Sequence, residues 1–387
     1  MNRIKRLISL VFVTTLTASS AVVLAQAPDV AEPFKLGTFS IAGSPTVGLV
    51  LRDALIVDIG EANAAIVQSG DLADMTTPAD MLGVIAQYED GVRDRLYAIV
   101  DYLVEGDRLE GNRRPAYVHD VETVGFLPPV LYPSTIMNAA VNFYTHACEG
   151  CSDEELAQMT RERQQNRGVP YLFLKPTRGS IIGNNDEIVI PYGRDRTDWE
   201  VELGTVIGRE AKYVSAARAE DYVFGYMVSI DVSDRGGRPP GGAAFGTDWF
   251  VGKGHDTFAP QGPWIVPKEF YGDPMERLHQ LLTIDGVTVQ EARAGDMIHS
   301  LWELIEYSSS LITLYPGDVL NSGTSGGTST GAFETGTRSG YLEPGEEIAA
   351  SIEGIGTLRH TVVAGEPPPA DLTGAQLPPV ESYLERE

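Results

Sequence analysis

Asp198-Trp199-Glu200-Val201-Glu202-Leu203-Gly204-Thr205-Val206-Ile207 is the stretch on which both the fold and the chemistry turn. Successive residues of a strand point to opposite faces, so Trp199, Val201 and Leu203 share one face and Glu200 and Glu202 share the other. Carboxylates two positions apart on a strand lie about 7 Å apart at Cα, close enough for their side chains to converge on one cation. The plain alternative is a half-buried strand with a solvated acidic face. A further acid bears on that choice. Phe224-Gly225-Tyr226-Met227-Val228-Ser229-Ile230 is a mostly apolar run that delivers Asp231 at its end, where an unpaired acid is costly if buried. Three oxygen donors with no His or Cys set nearby point to a hard cation, Mg2+ or Mn2+ with Ca2+ a further candidate, rather than zinc.

Upstream, Asn142-Phe143-Tyr144-Thr145-His146-Ala147-Cys148-Glu149 places His and Glu three apart, on one side of a helical turn. A carboxylate that orients an imidazole makes a general base able to hold a proton near neutral pH, although exposed His-Glu pairs are common at this spacing. Cys148 and Cys151 bracket Glu149. Three states stay open for them: a disulfide in an oxidising compartment, a reduced pair, or a metal clip lacking visible further ligands. Gly323 to Gly331 is glycine- and threonine-rich but lacks the ending of a phosphate-binding loop, and reads as a pocket rim.

The 387 residues carry 29 Lys plus Arg against 54 Asp plus Glu, a formal charge of -25 that repels phosphate backbones and makes nucleic acid an unexpected partner. Two cysteines cannot form a disulfide framework, so stability must come from burial. A basic start through Arg6, an apolar run from Leu7 to Leu24, and Val23-Leu24-Ala25 with small residues at the positions a signal peptidase reads, together read as a cleavable secretory signal at 1–25. The alternative, a membrane anchor, is weakened by Thr14, Thr15, Thr17, Ser19 and Ser20. Export, to the periplasm or beyond, and no membrane association after cleavage are the expectations.

Short strands are expected at Lys35 to Ile41, Thr46 to Leu51 and Ala54 to Ile59. Thr77 as cap, Pro78 in the first turn and Asp80 as an early acid would then open a helical stretch that Gly91 divides in two. A small N-terminal domain is thus expected at 26–130, with a proline-rich crossing after Gly125. Ser152 to Glu155 is a capping-box pattern for a helix to about Gln165, and Leu301 to Leu311 reads as another helix. Asp285-Gly286 marks a hairpin, strands are read at Tyr171 to Leu174, Glu187 to Ile190 and Asp318 to Asn321, and residues 365–387 form a proline-rich tail. Regular βαβ alternation is missing, which argues for α+β.

Taken in order, Asn142 to Glu149, Phe173-Leu174-Lys175-Pro176, Asp198 to Gly208, Gly225 to Asp231, Gly252-Lys253, Gln261 to Trp264, Leu314 to Val319 and Ser322-Gly323-Thr324 resemble the fumarylacetoacetate hydrolase family. The resemblance implies a mixed β-sheet roll of the fumarylacetoacetase-like C-terminal type over 131–364, with a small N-terminal α+β domain. It further implies a divalent metal held by Glu200, Glu202 and Asp231. His146 matches the family's base, Glu149 its orienting partner and Lys253 a lysine near the reacting oxygen. Thr324 and Lys175 match positions that contact or border the substrate, and Arg235 one that braces the metal carboxylates at the substrate site. Small 2-oxo or 2,4-dioxo acids are the implied substrates, by hydrolytic carbon-carbon cleavage, isomerisation, hydration or decarboxylation, in a homodimer. A non-catalytic periplasmic binder is the rival reading. Two departures bear on substrate choice: Asn142 stands where the hydrolases proper have a further aspartate ligand, and Gly236 and Arg238 replace the usual residues after Arg235.

Overall fold

The structure, a computed structural model, describes residues 30–237, 248–329 and 340–371. Its centre is the antiparallel pair Val201–Ile207 and Val223–Ile230, every residue of which is buried. This pair lies inside a twelve-stranded mixed sheet. On one side Val223–Ile230 pairs with Ala259–Pro267, which in turn pairs with Lys35–Ile41 and through it with Ser44–Leu51 and Leu55–Asp58. On the other side Val201–Ile207 pairs with Val319–Asn321, then Ile136–Ala139 and Leu172–Lys175. The meander at residues 35–58 therefore continues the large sheet across residue 130 through the pairing of Leu36 with Ile265.

Both faces of that sheet are covered, and this explains why Phe224 to Ile230 reads as an apolar run rather than an alternation. One face packs on a second sheet of five strands, with Val201, Leu203, Val228 and Ile230 meeting Leu282, Ile348, Leu358 and Val362. The other packs on the N-terminal helices, where Val206, Phe224 and Met227 meet Ile85, Leu96 and Ile99. Among the described residues no helix is long and apolar enough to cross a membrane.

Local signals explain most of the elements. Ser152 and Glu155 close a reciprocal capping box on the helix Asp153–Gln165, and Ser300 and Glu303 do the same for Leu301–Leu311. Gly91, with φ near 105°, interrupts the helical stretch between Met81–Ala86 and Arg93–Glu105. His279–Ile284 and Val287–Arg293 form the hairpin expected around Asp285-Gly286.

Three features differ from expectation. The cap of Met81–Ala86 is Asp80, which accepts from Gly83 N at 2.7 Å, and Thr77 plays no part in it. The third strand ends at Asp58, whose side chain accepts from Glu61 N and starts an unexpected helix, Ile59–Ser69. The strands Glu347–Ile352 and Gly356–Ala364 went unread, because their short apolar alternation is broken by charged and small residues.

His360 lies buried on the last of these strands, its Nδ1–H donating to the Asp186 carbonyl at 2.7 Å. Burial lowers its pKa to about 4, with the Asp186 bond opposing. The unfolded chain then binds more protons between that value and the ordinary 6.5, so stability should fall as pH drops through this window. Denaturant titrations from pH 7 to pH 4 should show His360→Gln losing on the order of 3 kcal/mol less than the wild type. Parallel pH curves would contradict a neutral buried imidazole.

Candidate metal centre

Glu202 faces Ser229 across the central strand pair, and the ladder continues past its formal end because Asp231 N donates to Glu200 O at 2.8 Å. This register brings Glu200, Glu202 and Asp231 to one end of two neighbouring strands, buried, with an oxygen from each within 4.8 Å of the others. The solvated acidic face that the sequence left open is thereby excluded.

Basic groups surround these acids unevenly. Lys253 Nζ donates to Glu200 Oε2 at 2.8 Å and to Asp231 Oδ2 at 2.6 Å. Lys175 pairs with the other Asp231 oxygen and donates to Val232 O at 2.9 Å. Arg235 bridges Glu200 and Asp198, the latter at 2.9 Å. Among the described residues no lysine or arginine forms an ion pair with Glu202, which accepts from Gly323 N at 2.8 Å.

The protonation tendencies follow this distribution. Burial pushes Glu202 well above the usual carboxylate range, and the charges of Asp231 and Glu200 push it further. Burial acts in the same direction on Glu200, but Lys253, Arg235 and His146 outweigh it and hold that acid low. Lys253 is raised because Asp231 and Glu200 overcome desolvation, whereas for Lys175 desolvation wins and lowers it. Four buried acids, Asp198 included, thus face three basic side chains, and the least compensated acid is Glu202. An all-oxygen donor set of this kind, short of one positive charge, fits a hard divalent cation.

The imidazole lies nearby. His146 lies in the short helix Tyr144–Ala147, and its Nδ1 meets Glu149 Oε1 at 3.1 Å. The expected contact is present, but Glu149 lies beyond the helix, in the turn after Cys148, rather than on the same helical turn. Thr328 N and Oγ1 donate to the two Glu149 oxygens at 3.2 and 2.7 Å. Burial would raise Glu149, yet His146 and Thr328 together hold it below its ordinary value.

Thr324 is buried beside the cluster, its hydroxyl donating to Val201 O at 2.9 Å and accepting from Gln290 Nε2 at 2.9 Å. Asn142 braces the backbone, donating to His299 O and Ser322 O and accepting from His299 N. Four contributors escaped the sequence reading. Asp198, quoted in the strand motif but given no role, anchors Arg235 and accepts from Ser329 N at 2.7 Å. Gln290 holds Val201 N and Thr324, Thr328 holds Glu149, and Asp234 pairs with Arg194 at 2.5 Å. His255 lies 3.4 Å from Asp234 and not in the acid cluster. Arg238 falls outside the described residues.

The architecture is that of an α+β protein with mixed sheets and a buried acidic centre. The sequence profile of the family described as fumarylacetoacetate (FAA) hydrolase C-terminal matches residues 135–363, and the chain belongs to that family. The 2,4-didehydro-3-deoxy-L-rhamnonate hydrolase of Sphingomonas sp. (strain SKA58) is 40% identical over 193 residues, which are 50% of this chain and 65% of that protein. The match therefore spans just under two thirds of this curated relative. Maleylpyruvate hydrolase from Sphingobium sp. SYK-6 is similar in structure, with a TM-score of 0.61, 26% identity, and coverage of 86% of this chain and all of that one. The same enzyme has been solved in complex with manganese (II) ion and pyruvate. A 5-carboxymethyl-2-hydroxymuconate delta-isomerase from Mycobacterium smegmatis is 32% identical, with a TM-score of 0.52 over 65% of this chain and 87% of that one.

Saturating Mn2+ should raise the melting temperature of the wild type by several degrees, since ligand at 100 times its dissociation constant adds about 2.7 kcal/mol. Glu202→Gln should lose that shift while the metal-free variant stays at least as stable as the metal-free wild type, because a poorly compensated buried acid is gone. A full Mn2+ shift in the variant would remove Glu202 from the centre.

Proposed function

We propose that this chain is a divalent-metal-dependent hydrolase that cleaves a carbon-carbon bond in a 2,4-dioxo acid. The observation that carries the reading is the juxtaposition of an undercompensated buried acid cluster with an imidazole whose partner carboxylate is held on both oxygens. A cation bound by Glu200, Glu202 and Asp231 would supply Lewis-acid polarisation of the substrate's carboxylate and adjacent keto oxygen.

The chain's own groups do the rest. With Nδ1 committed to Glu149, His146 offers Nε2 to take a proton from water as it attacks the distal carbonyl. The bond between carbons 3 and 4 then breaks, its electron pair stays on carbon 3, and the proton held by His146 returns to that carbon. One water is consumed, and a carboxylic acid and a 2-oxo acid leave. Lys253 contributes fixed positive charge where oxyanion develops. Lys175 holds Asp231 in place, Arg235 holds Glu200, and Thr324 borders the substrate carboxylate.

Two comparisons support the substrate class. The Sphingomonas relative's substrate name describes an acid dehydrogenated at carbons 2 and 4, and the Sphingobium structure carries pyruvate, a 2-oxo acid. The similarity to the mycobacterial delta-isomerase favours a second reading, proton transfer on the same scaffold without an attacking water. The proposal extends to export through residues 1–25, which lie outside the described residues, and to a homodimer. The Cys148–Cys151 disulfide supports an oxidising compartment.

A screen of acylpyruvates in 18O-labelled water with added Mg2+ or Mn2+ tests the reading. Hydrolysis should place one labelled oxygen in the acid product, and His146→Ala should lower kcat about 100-fold or more, the scale of a positioned general base. Product without label would favour isomerisation, and binding without turnover would favour the non-catalytic binder.

A further inference from the structure

The helix that carries His146, Tyr144–Ala147, is a single turn with no side-chain N-cap, too short to hold its own geometry. Two external devices fix it. The first is the loop at residues 326–328. Gly326 N donates to Thr145 Oγ1 at 2.9 Å, and Thr328 grips both Glu149 oxygens. The loop lies so close that a Cβ on Gly326 would fall 2.9 Å from Thr145 O. The second device is the Cys148–Cys151 disulfide, which closes the turn around Glu149 together with a hydrogen bond from Cys151 N to Cys148 O at 3.1 Å.

We propose that Cys148, Cys151 and Thr328 are positioning residues for the base, and that reducing the disulfide lowers turnover by releasing Glu149 from His146. The proposal rests on His146 acting as base. A bridge between residues three apart constrains little of the unfolded chain, so its consequence is local rather than a matter of overall stability. Cys151 is exposed, which opens the bond to a small dithiol. One thiolate of the dithiol attacks a protein sulfur to give a mixed disulfide. Its second thiolate displaces the other protein thiol, and the reagent leaves as a cyclic disulfide. The protein gains two electrons and two protons as the thiols of Cys148 and Cys151.

The test compares the full chain oxidised, treated with dithiothreitol and reoxidised, alongside Cys148→Ser/Cys151→Ser, Thr328→Val and Thr328→Ser. Thiol titration and amide hydrogen exchange accompany the kinetics. Reduction, the double serine variant and Thr328→Val should each lower kcat about 10- to 100-fold, the scale expected when a catalytic group is misplaced by about 1 Å. KM should stay within about twofold, and Thr328→Ser and reoxidation should restore kcat. In the reduced protein, the Gly326 and Thr328 amides, which donate to Thr145 and Glu149, should exchange faster. Equal kcat in both redox states, or a raised KM at unchanged kcat, would overturn the proposal. Should the oxidised protein turn over no oxo acid at all, the hydrolase reading fails, and amide exchange still decides the positioning: unchanged protection on reduction overturns it.

Discussion

Burying several carboxylates together is the constraint around which this protein is organised. Asp198, Glu200, Glu202 and Asp231 are removed from water at the end of two central strands, where like charges a few ångströms apart repel strongly. Lys175, Lys253 and Arg235 answer most of that charge, each held by hydrogen bonds to the acids or the adjacent backbone. The remainder falls on Glu202, which burial, and then the charges of Asp231 and Glu200, push well above the usual carboxylate range. A divalent cation is the simplest group that completes the arrangement, and the manganese in the Sphingobium relative is consistent with that.

The rest of the fold serves this centre by making it rigid and dry. Covering the large sheet on one face with helices and on the other with the five-stranded sheet buries both sides of the strands that carry the acids. One loop, 322–328, then links the acids to the base: Gly323 holds Glu202, Thr324 holds Val201, and Thr328 holds Glu149. A shift of that loop would disturb cluster and imidazole together.

Much of this was legible in the sequence because it is written in local patterns. The Glu-x-Glu alternation on an apolar strand, the acid after a long apolar run and the Ser-x-x-Glu capping boxes each depend on residues close in sequence. The helix at Ile59–Ser69 was missed because Asp58 caps it immediately after a strand, leaving no turn signal between the two elements. Thr328, Gln290 and Asp234 were missed for a different reason. The bonds of Thr328 to Glu149, Gln290 to Thr324 and Arg194 to Asp234 span 34 to 179 positions, which no local spacing encodes. Glu149 shows the middle case, in which the pairing with His146 was readable but its place beyond the helix end was not.

Anomalous diffraction from crystals of the full chain grown with Mn2+ locates any ion that the acid cluster binds. One ion per chain should be found in contact with oxygens of Glu200, Glu202 and Asp231. An ion bound elsewhere, or an acid cluster that stays closed around Lys253 with no ion at high Mn2+ concentration, would contradict it.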